Sequence, residues 1–187
     1  MGSRVRVPSA PLRREEEQQR KLRFPAALFR HTSSNLLHHH NTTHMAITII
    51  NGPNLNNLGK RDPQIYGKET FEETLSKLRE AFPNEEIRYF QSNSEGDIID
   101  IIQRESSDSS VSGLVINPGA YAHYSYAIAD AIADAEIPVV EVHISNIHAR
   151  EDFRKKSVTA YSANAVIAGC GRRGYLLAIQ FILHPTI

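Results

Sequence analysis

Cysteine is nearly absent from this sequence. Cys170 is the only one among 187 residues, so no disulfide can form within the chain, and a reducing compartment such as the cytoplasm is the expected location. No apolar stretch approaches the roughly 20 residues that a membrane-spanning helix requires, so no membrane partner is expected. Residues 45–187 also lack zinc-site spacing and a Gly-x-Ser-x-Gly nucleophile elbow, which disfavours a metal site and serine hydrolysis of that type.

An excess of basic charge is also missing from most of the chain. The formal net charge is zero, but residues 1–44 hold eight of the 21 Lys and Arg residues and only three of the 21 acidic ones. Residues 45–187 are therefore mildly acidic. Because nucleic-acid binding needs a basic face, no nucleic-acid partner is expected.

Residues 1–44 show no sustained apolar period, so they do not predict a folded domain. The segment is Arg-rich like a transit peptide, but the run Glu15–Glu17 argues against that interpretation. Its histidines could bind a metal. The interpretation we favour is a disordered or non-native extension ahead of a start at Met45, with residues 45–187 forming the catalytic domain.

From residue 46 onward, apolar runs alternate with helical patterns. This alternation predicts a parallel sheet with helices on both faces, and five strands predict a flavodoxin-like three-layer α/β fold of strand order 2-1-3-4-5. Thr70 and Glu73 form a capping-box pattern before the first helix. The predicted strands are 46–50, 86–91, 113–116, 137–142 and 165–168. The predicted helices are 71–82, 95–106, 123–136 and 174–183, with at most one short helical turn in 146–156.

Polar residues follow three of the predicted strands. In such folds ligands bind beyond the carboxyl ends of the strands, where the strand order reverses. The first strand leads into Asn51–Asn54, the third into Asn117–Gly119, and the fourth into Glu141–Asn146. The first and third strands are neighbours in this order, so these segments are expected to share one crevice.

Glu141 and His143 are two residues apart in a strand, so both side chains point to the same face. A carboxylate beside a histidine fixes its tautomer and stabilises its charged form, which suits a general acid. A structural ion pair is the alternative, and the position at a strand end favours catalysis.

Other candidate residues are less specific when considered singly. Residues 58–67 could form a lid with Arg61 and Tyr66, and because tyrosine titrates near pH 10, a phenolate base would need a nearby positive charge. His123 is placed at the start of the third helix, where free N–H groups attract anions. Arg150 and Arg154 would share a face if their turn is helical, and either could bind a carboxylate. A solvated loop, a first-turn polar residue and a solvated charge run remain the alternatives.

Six motifs lie along residues 46–183. They are Asn51-Gly52-Pro53-Asn54-Leu55, Arg61-x-Pro63-x-x-Tyr66-Gly67, Gln91-Ser92-Asn93, Ile116-Asn117-Pro118-Gly119-Ala120, VEVHISNIHARExFR from Val140 to Arg154, and Gly174-Tyr175-Leu176-Leu177-Ala178. Together they resemble the type II 3-dehydroquinate dehydratase family, and nothing in residues 1–44 belongs to that resemblance.

The resemblance implies a cofactor-free anti elimination of water from 3-dehydroquinate to 3-dehydroshikimate, in the shikimate or quinate pathway. It also implies a homo-oligomer, a dodecamer built from trimers. Tyr66 would be the base, activated by Arg61; Asn54 would stabilise the enolate; and His143, oriented by Glu141, would protonate the departing hydroxyl. Substrate would be held by Asn117, His123, Ile144, Ser145 and Arg154, with Asp130 supplied by a neighbouring subunit.

Two other function classes compete with this one. A flavodoxin-like module binding flavin or phosphate would have a Ser/Thr/Gly-rich loop after the first strand, whereas the loop here is rich in Asn and Pro. A catalytically silent assembly protein of the same fold would be expected to lose catalytic side chains, and this sequence keeps them.

Deleting residues 1–44 is expected to leave turnover and assembly unchanged, because Met45 directly precedes the first predicted strand. Steady-state kinetics and size-exclusion chromatography of the truncated chain test this. Poor folding or a changed oligomer would show that the segment packs on the catalytic domain.

Overall fold

Five parallel strands form the centre of the computed structural model, which describes residues 45–60 and 69–184. Their order is β2-β1-β3-β4-β5, so the predicted fold class is confirmed. No helix in these residues is long and apolar enough to cross a membrane. The strands are β1 Ala46–Asn51, β2 Glu86–Gln91, β3 Val111–Asn117, β4 Val139–His143 and β5 Ala165–Ala168; the helices are α1 Phe71–Ala81, α2 Glu95–Ser106, α3 Tyr126–Asp134 and α4 Arg173–Leu183.

The connection between β4 and β5 differs from the prediction. It contains 3₁₀ turns at Ile147–Ala149, Asp152–Arg154 and Thr159–Tyr161 instead of one helical turn. Polar residues without an apolar stripe have no face to bury against the sheet, so a longer helix gains little there. The segment instead folds over the carboxyl end of β4.

Side-chain caps fix the starts of three helices. Thr70 and Glu73 form the predicted capping box at α1. The Ser94 hydroxyl accepts from the Asp97 amide at α2, and the Ser125 hydroxyl accepts from the Ile128 amide at α3. Each cap satisfies a backbone N–H that has no partner within the helix.

The two faces of the sheet carry separate apolar clusters. Helices α1 and α4 cover one face, where Ile47, Ile49 and Tyr175 are fully buried. Helices α2 and α3 cover the other, where Ile50 and Ile128 are fully buried. Successive side chains of β1 belong alternately to the two clusters, because a strand is pleated and β1 is covered by helices on both faces.

A polar network crosses the second face near the amino ends of the strands. The Thr48 hydroxyl donates to Glu105 Oε2 at 2.8 Å, and both residues are buried. Arg88 Nη1 lies 3.5 Å from the same oxygen and 2.7 Å from Asp108 Oδ2. The hydrogen bond from Arg88, followed by those from Ser110, lowers the pKa of Asp108 from 3.8 to about 2.

Replacing Asp108 with Asn is expected to lower the urea midpoint at neutral pH. The folded-state pKa of Asp108 lies below its ordinary value. The ionised carboxylate therefore stabilises the folded state fully above pH 3.8, and this stabilisation is lost as the pH falls towards about 2. The difference in midpoint between wild type and Asp108→Asn should therefore narrow across this window. Asp152→Asn, which removes an exposed partner of Lys155, is the control. If the difference in urea midpoint between wild type and Asp108→Asn does not change with pH, the ionised form of Asp108 is not the cause of that difference.

Candidate active site

A small cavity of about 180 Å³ opens at the carboxyl ends of β1, β3 and β4, at the predicted crevice. Most of the side chains predicted for the site lie together here. The lining residues are Pro53, Asn54, Leu55, Asn57, Leu58, Asn117, Gly119, Ala120, His123, His143, Ile144, Ser145, Ile147, Arg150 and Arg154.

The loops after β1 and β3 pack closely enough to require glycine. A Cβ on Gly52 would lie 2.4 Å from the Pro118 carbonyl oxygen, and the Gly52 amide donates to the Asn117 carbonyl at 2.8 Å. Asn54 adopts a left-handed conformation with φ of 67°, which Asn tolerates better than most residues. Its amide donates to Asn93 Oδ1 at 2.9 Å, so Asn93 fixes the loop that presents Asn54.

Asn117 is held in place by a buried tyrosine on α4. Its Nδ2 donates to the Tyr175 hydroxyl at 2.9 Å, and that hydroxyl donates to Asn51 Oδ1 at 2.8 Å. The Gly119 amide donates to Asn117 Oδ1 at 3.2 Å. Burial raises the pKa of Tyr175, so its hydroxyl stays neutral and keeps the proton that this chain of bonds needs. One N–H of the Asn117 amide then remains for a ligand.

Glu141 and His143 form the predicted pair on β4. His143 Nε2 lies 2.6 Å from Glu141 Oε1, and both residues are buried. Because the carboxylate only accepts, Nε2 carries the proton of this bond. Nδ1 is then the nitrogen that can exchange a proton with a molecule in the cavity, as a general acid requires.

His123 faces His143 across the cavity, with ring centroids 6.4 Å apart and planes inclined by 19°. Its Nδ1 lies 2.8 Å from the Lys156 carbonyl, which only accepts. Burial lowers the pKa of His123, and the charges of His143 and Arg154 act in the same direction, against the raising effect of that hydrogen bond. His123 is therefore neutral at pH 7 and offers Nε2 as an acceptor.

The predicted position of His123 at a helix start is wrong. The residue ends a 3₁₀ turn, Gly119–His123, and α3 begins at Tyr126 behind the Ser125 cap. Gly119, with φ of +62°, turns the chain tightly after Asn117 and so delays the helix. The free N–H groups at the start of α3 therefore belong to residues after Ser125, and His123 is not one of those residues.

Arg150 and Arg154 both line the cavity, but their segment is not the α-helical turn that would have given them a shared face. Arg150 is in extended conformation between two 3₁₀ turns. Arg154 Nε lies 3.3 Å from Glu151 Oε2 but is buried without a hydrogen bond of acceptable geometry. The Arg154 guanidinium also stacks 4.9 Å from the Phe153 ring centre. Arg154 is thus a cation held at the cavity wall by Glu151 and Phe153, and a guanidinium can bind an anionic group.

Two of the described residues predicted for the site do not line the cavity. Glu141 is buried beside His143, and Asp130 is exposed on α3. Arg61 and Tyr66 lie outside the described residues. No group of three His, Cys, Asp or Glu side chains in residues 45–60 and 69–184 is arranged to hold a metal ion.

Sequence reasoning missed the apolar part of the lining and the residues behind Glu141. Leu55, Leu58 and Ile147 supply the apolar wall, and their periodicity alone would have assigned them to the core. Ser157 and Thr159 bond to Glu141 from 16 and 18 residues away. No local pattern signals contacts of that separation.

A family model described as dehydroquinase class II matches residues 45–183. The chain belongs to this family. It is 55% identical over 140 residues to the 3-dehydroquinate dehydratase of Clostridium botulinum strain Loch Maree, covering 74% of this chain and 94% of that protein. The family and enzyme class expected from the motifs, a type II 3-dehydroquinate dehydratase, are therefore confirmed, and with them the dehydration of 3-dehydroquinate.

Solved structures give the same result for this class II dehydroquinase. The type II dehydroquinase of Butyrivibrio crossotus superposes with a TM-score of 0.73 at 48% identity, covering 76% of this chain and 99% of that one. The type II dehydroquinase of Propionibacterium acnes gives a TM-score of 0.70 at 41% identity, covering 74% and 97%. Both identities are high enough to support a shared family as well as a shared fold.

Replacing Tyr175 with Phe is expected to destabilise this dehydroquinase by about 1–3 kcal/mol, because Asn117 Nδ2 loses its acceptor and Asn51 Oδ1 its donor in a buried place. The free energy of unfolding in urea measures this. Tyr161→Phe removes an exposed hydroxyl and serves as the control. A loss for Tyr175→Phe no larger than that of the control would mean that the buried chain of hydrogen bonds contributes nothing to stability.

Proposed function

We propose that this chain dehydrates 3-dehydroquinate by anti elimination through an enolate, without a cofactor, giving 3-dehydroshikimate. The observation that carries the proposal is the buried Glu141–His143 pair facing a cavity lined by Asn117, His123 and Arg154, in a chain of the class II dehydroquinase family. The ketone of this substrate acidifies the neighbouring C–H bond, so a positioned base and a positioned acid suffice.

The acid half of the reaction is assigned to His143. Its Nε2 proton is committed to Glu141 at 2.6 Å, so the proton given to the departing hydroxyl comes from Nδ1. The C–O bond breaks as this proton arrives, and the hydroxyl leaves as water. Glu141 keeps the ring in the required tautomer and balances the charge of the protonated ring before transfer.

The base half is assigned to Tyr66, with Arg61 as its activator, on the strength of the motif that both residues match. As a phenolate, Tyr66 would take the proton from the carbon next to the ketone, and the electron pair would move into the enolate. Arg61 would stabilise the phenolate by its positive charge. Asn54, with a bound water, would stabilise the enolate oxygen from the loop that Asn93 holds.

Substrate binding is assigned to residues on three sides of the cavity. Arg154 would bind the carboxylate, and the neutral His123 and Asn117 would bind hydroxyl groups. Ile144 and Ser145, directly after His143, would contribute their backbone and side chain. Asp130 would approach from a neighbouring subunit, within a dodecamer built from trimers.

The wider setting of the enzyme follows from the same family assignment. We assign residues 45–187 as the catalytic domain and residues 1–44 as an extension without a part in turnover. The expected place is the cytoplasm and the expected pathway is the shikimate route to chorismate and the aromatic amino acids. The remaining competitor is a catalytically silent member of the family, which an assay of turnover distinguishes at once.

The test is the ultraviolet absorbance of the conjugated product formed from 3-dehydroquinate, followed across pH for wild type, Tyr66→Phe and Arg61→Ala. Tyr66→Phe is expected to lower kcat by at least ~10²-fold with little change in KM, because no substitute base is at hand. Arg61→Ala should lower kcat and raise the pH at which turnover sets in, because the phenolate loses its nearest positive charge.

Tyr161→Phe, at an exposed position, is the control and should retain wild-type kcat. Dialysis against a chelator before the assay should change nothing; recovery of lost activity by a divalent metal would reject the cofactor-free mechanism. Retention of more than about a tenth of wild-type kcat in Tyr66→Phe would reject the assignment of the base.

A further inference from the structure

Glu141 has more partners than its role beside His143 requires. Its side chain is fully buried. Oε1 accepts from His143 Nε2 at 2.6 Å and from the Ser157 hydroxyl at 2.7 Å, and Oε2 accepts from the Thr159 hydroxyl at 2.5 Å. Both oxygens are therefore occupied by donors from the connection that follows β4.

The geometry around Ser157 indicates where its single proton goes. Its hydroxyl also lies 3.3 Å from the Ala122 carbonyl, which already accepts from the Val158 amide at 2.7 Å. The Ala160 amide donates to Ser157 Oγ at 3.2 Å. The short contact to Glu141 is thus the favoured direction for the proton, and the backbone holds the hydroxyl in that orientation.

These hydroxyls stand where a buried carboxylate would usually have a cationic partner. No Lys or Arg of residues 45–60 and 69–184 lies within ion-pair distance of Glu141, and His143 is its sole ionisable partner in that part of the chain. A buried carboxylate with an oxygen left unpaired is costly and would turn, or take up a proton, to relieve that cost. Either response would break the orientation of His143.

We propose that Ser157 and Thr159 are positioning residues that hold the Glu141 carboxylate against His143, so that Nε2 keeps its proton and donates it to the hydrogen bond with Glu141, while Nδ1 faces the substrate. This inference rests on the proposed function, because it assigns the two hydroxyls to the acid half of that reaction. They touch neither substrate nor cavity and act through Glu141. Without them, the Glu141 carboxylate turns or takes up a proton, and His143 loses the acceptor that keeps the proton on Nε2 and directs Nδ1 to the substrate.

Thr159→Val tests this, because it removes the hydroxyl and keeps the branched shape. The expected result is a kcat lower by about 10–100-fold, part of the ~10²–10⁴-fold that a positioned acid supplies, with KM changed less than about threefold. Thr159→Ser restores a hydroxyl and should recover most of kcat. Ser157→Ala should act in the same direction, with a larger loss of stability because the Ala160 amide also loses its acceptor.

Thr48→Val is the matched control. Thr48 is also fully buried and donates to a buried carboxylate, Glu105, at 2.8 Å, but it does not line the cavity. It should lose stability in urea while kcat stays at the wild-type value. A kcat loss in Thr48→Val equal to that in Thr159→Val would overturn the proposal, since general loosening would then explain both.

A double-mutant cycle separates positioning from packing. In the Glu141→Ala background, Thr159→Val should cause no further loss of kcat, because the residue through which it acts is gone. Losses that multiply would overturn the proposal. If wild type does not convert 3-dehydroquinate, the proposed function fails; if wild type converts it and His143→Ala is impaired while Thr159→Val keeps wild-type kcat, the positioning role alone fails.

Discussion

The parallel pairing of β1, β3 and β4 determines where the polar groups at the ends of these strands meet. Asn51 pairs with Asn117 across β1 and β3, and Ile116 pairs with Glu141 across β3 and β4. A shift of one residue would turn Glu141 and His143 to the other face of the sheet. The apolar clusters on both faces oppose such a shift, because it would move each strand's buried side chains out of the cluster in which they pack and into the other.

This register places the Glu141 carboxylate and the His143 ring at two different depths in the fold. Glu141 lies within the sheet, where it is fully buried, and His143 lies two residues further on, at the floor of the cavity. A carboxylate at that depth needs hydrogen-bond donors, and the structure supplies them from the 3₁₀ connection instead of from a lysine or arginine. The cations near the site, Arg150 and Arg154, stay at the cavity wall, where a ligand can reach them.

Hydrogen bonds behind the cavity give its polar side chains fixed directions. Asn117 is held through Tyr175, Asn54 through Asn93, and His123 through the Lys156 carbonyl. Each supporting group comes from a different part of the chain, so the site depends on the packing of α4, the start of α2 and the β4–β5 connection. Orientation of this kind is what positioned acid–base catalysis requires.

Local patterns carried much of the fold and part of the site. The limits of β2, α2 and β5 agree with the alternation of apolar residues, and the Thr70 capping box was readable from two residues three apart. The Glu141–His143 pair was predictable because a strand has a period of two. The start of α3 was misplaced, because Gly119 inserts a 3₁₀ turn that apolar spacing does not reveal.

The sequence by itself determined the alternation of strands and helices, the family motifs and the strand ends at which polar residues gather, because these follow from short-range periodicity and from residue types at fixed spacing. The strand order was inferred from the fold class that this alternation indicates. Only the tertiary structure decided that Thr159 and Ser157 would reach Glu141, that Tyr175 would hold Asn117, and that Arg154 would keep an unused donor. The unused donor of Arg154 depends on the angle between its Nε and Glu151. The contacts of Ser157, Thr159 and Tyr175 join residues 16 to 58 positions apart. Their existence follows from how helices and turns pack on the sheet, which no local pattern encodes.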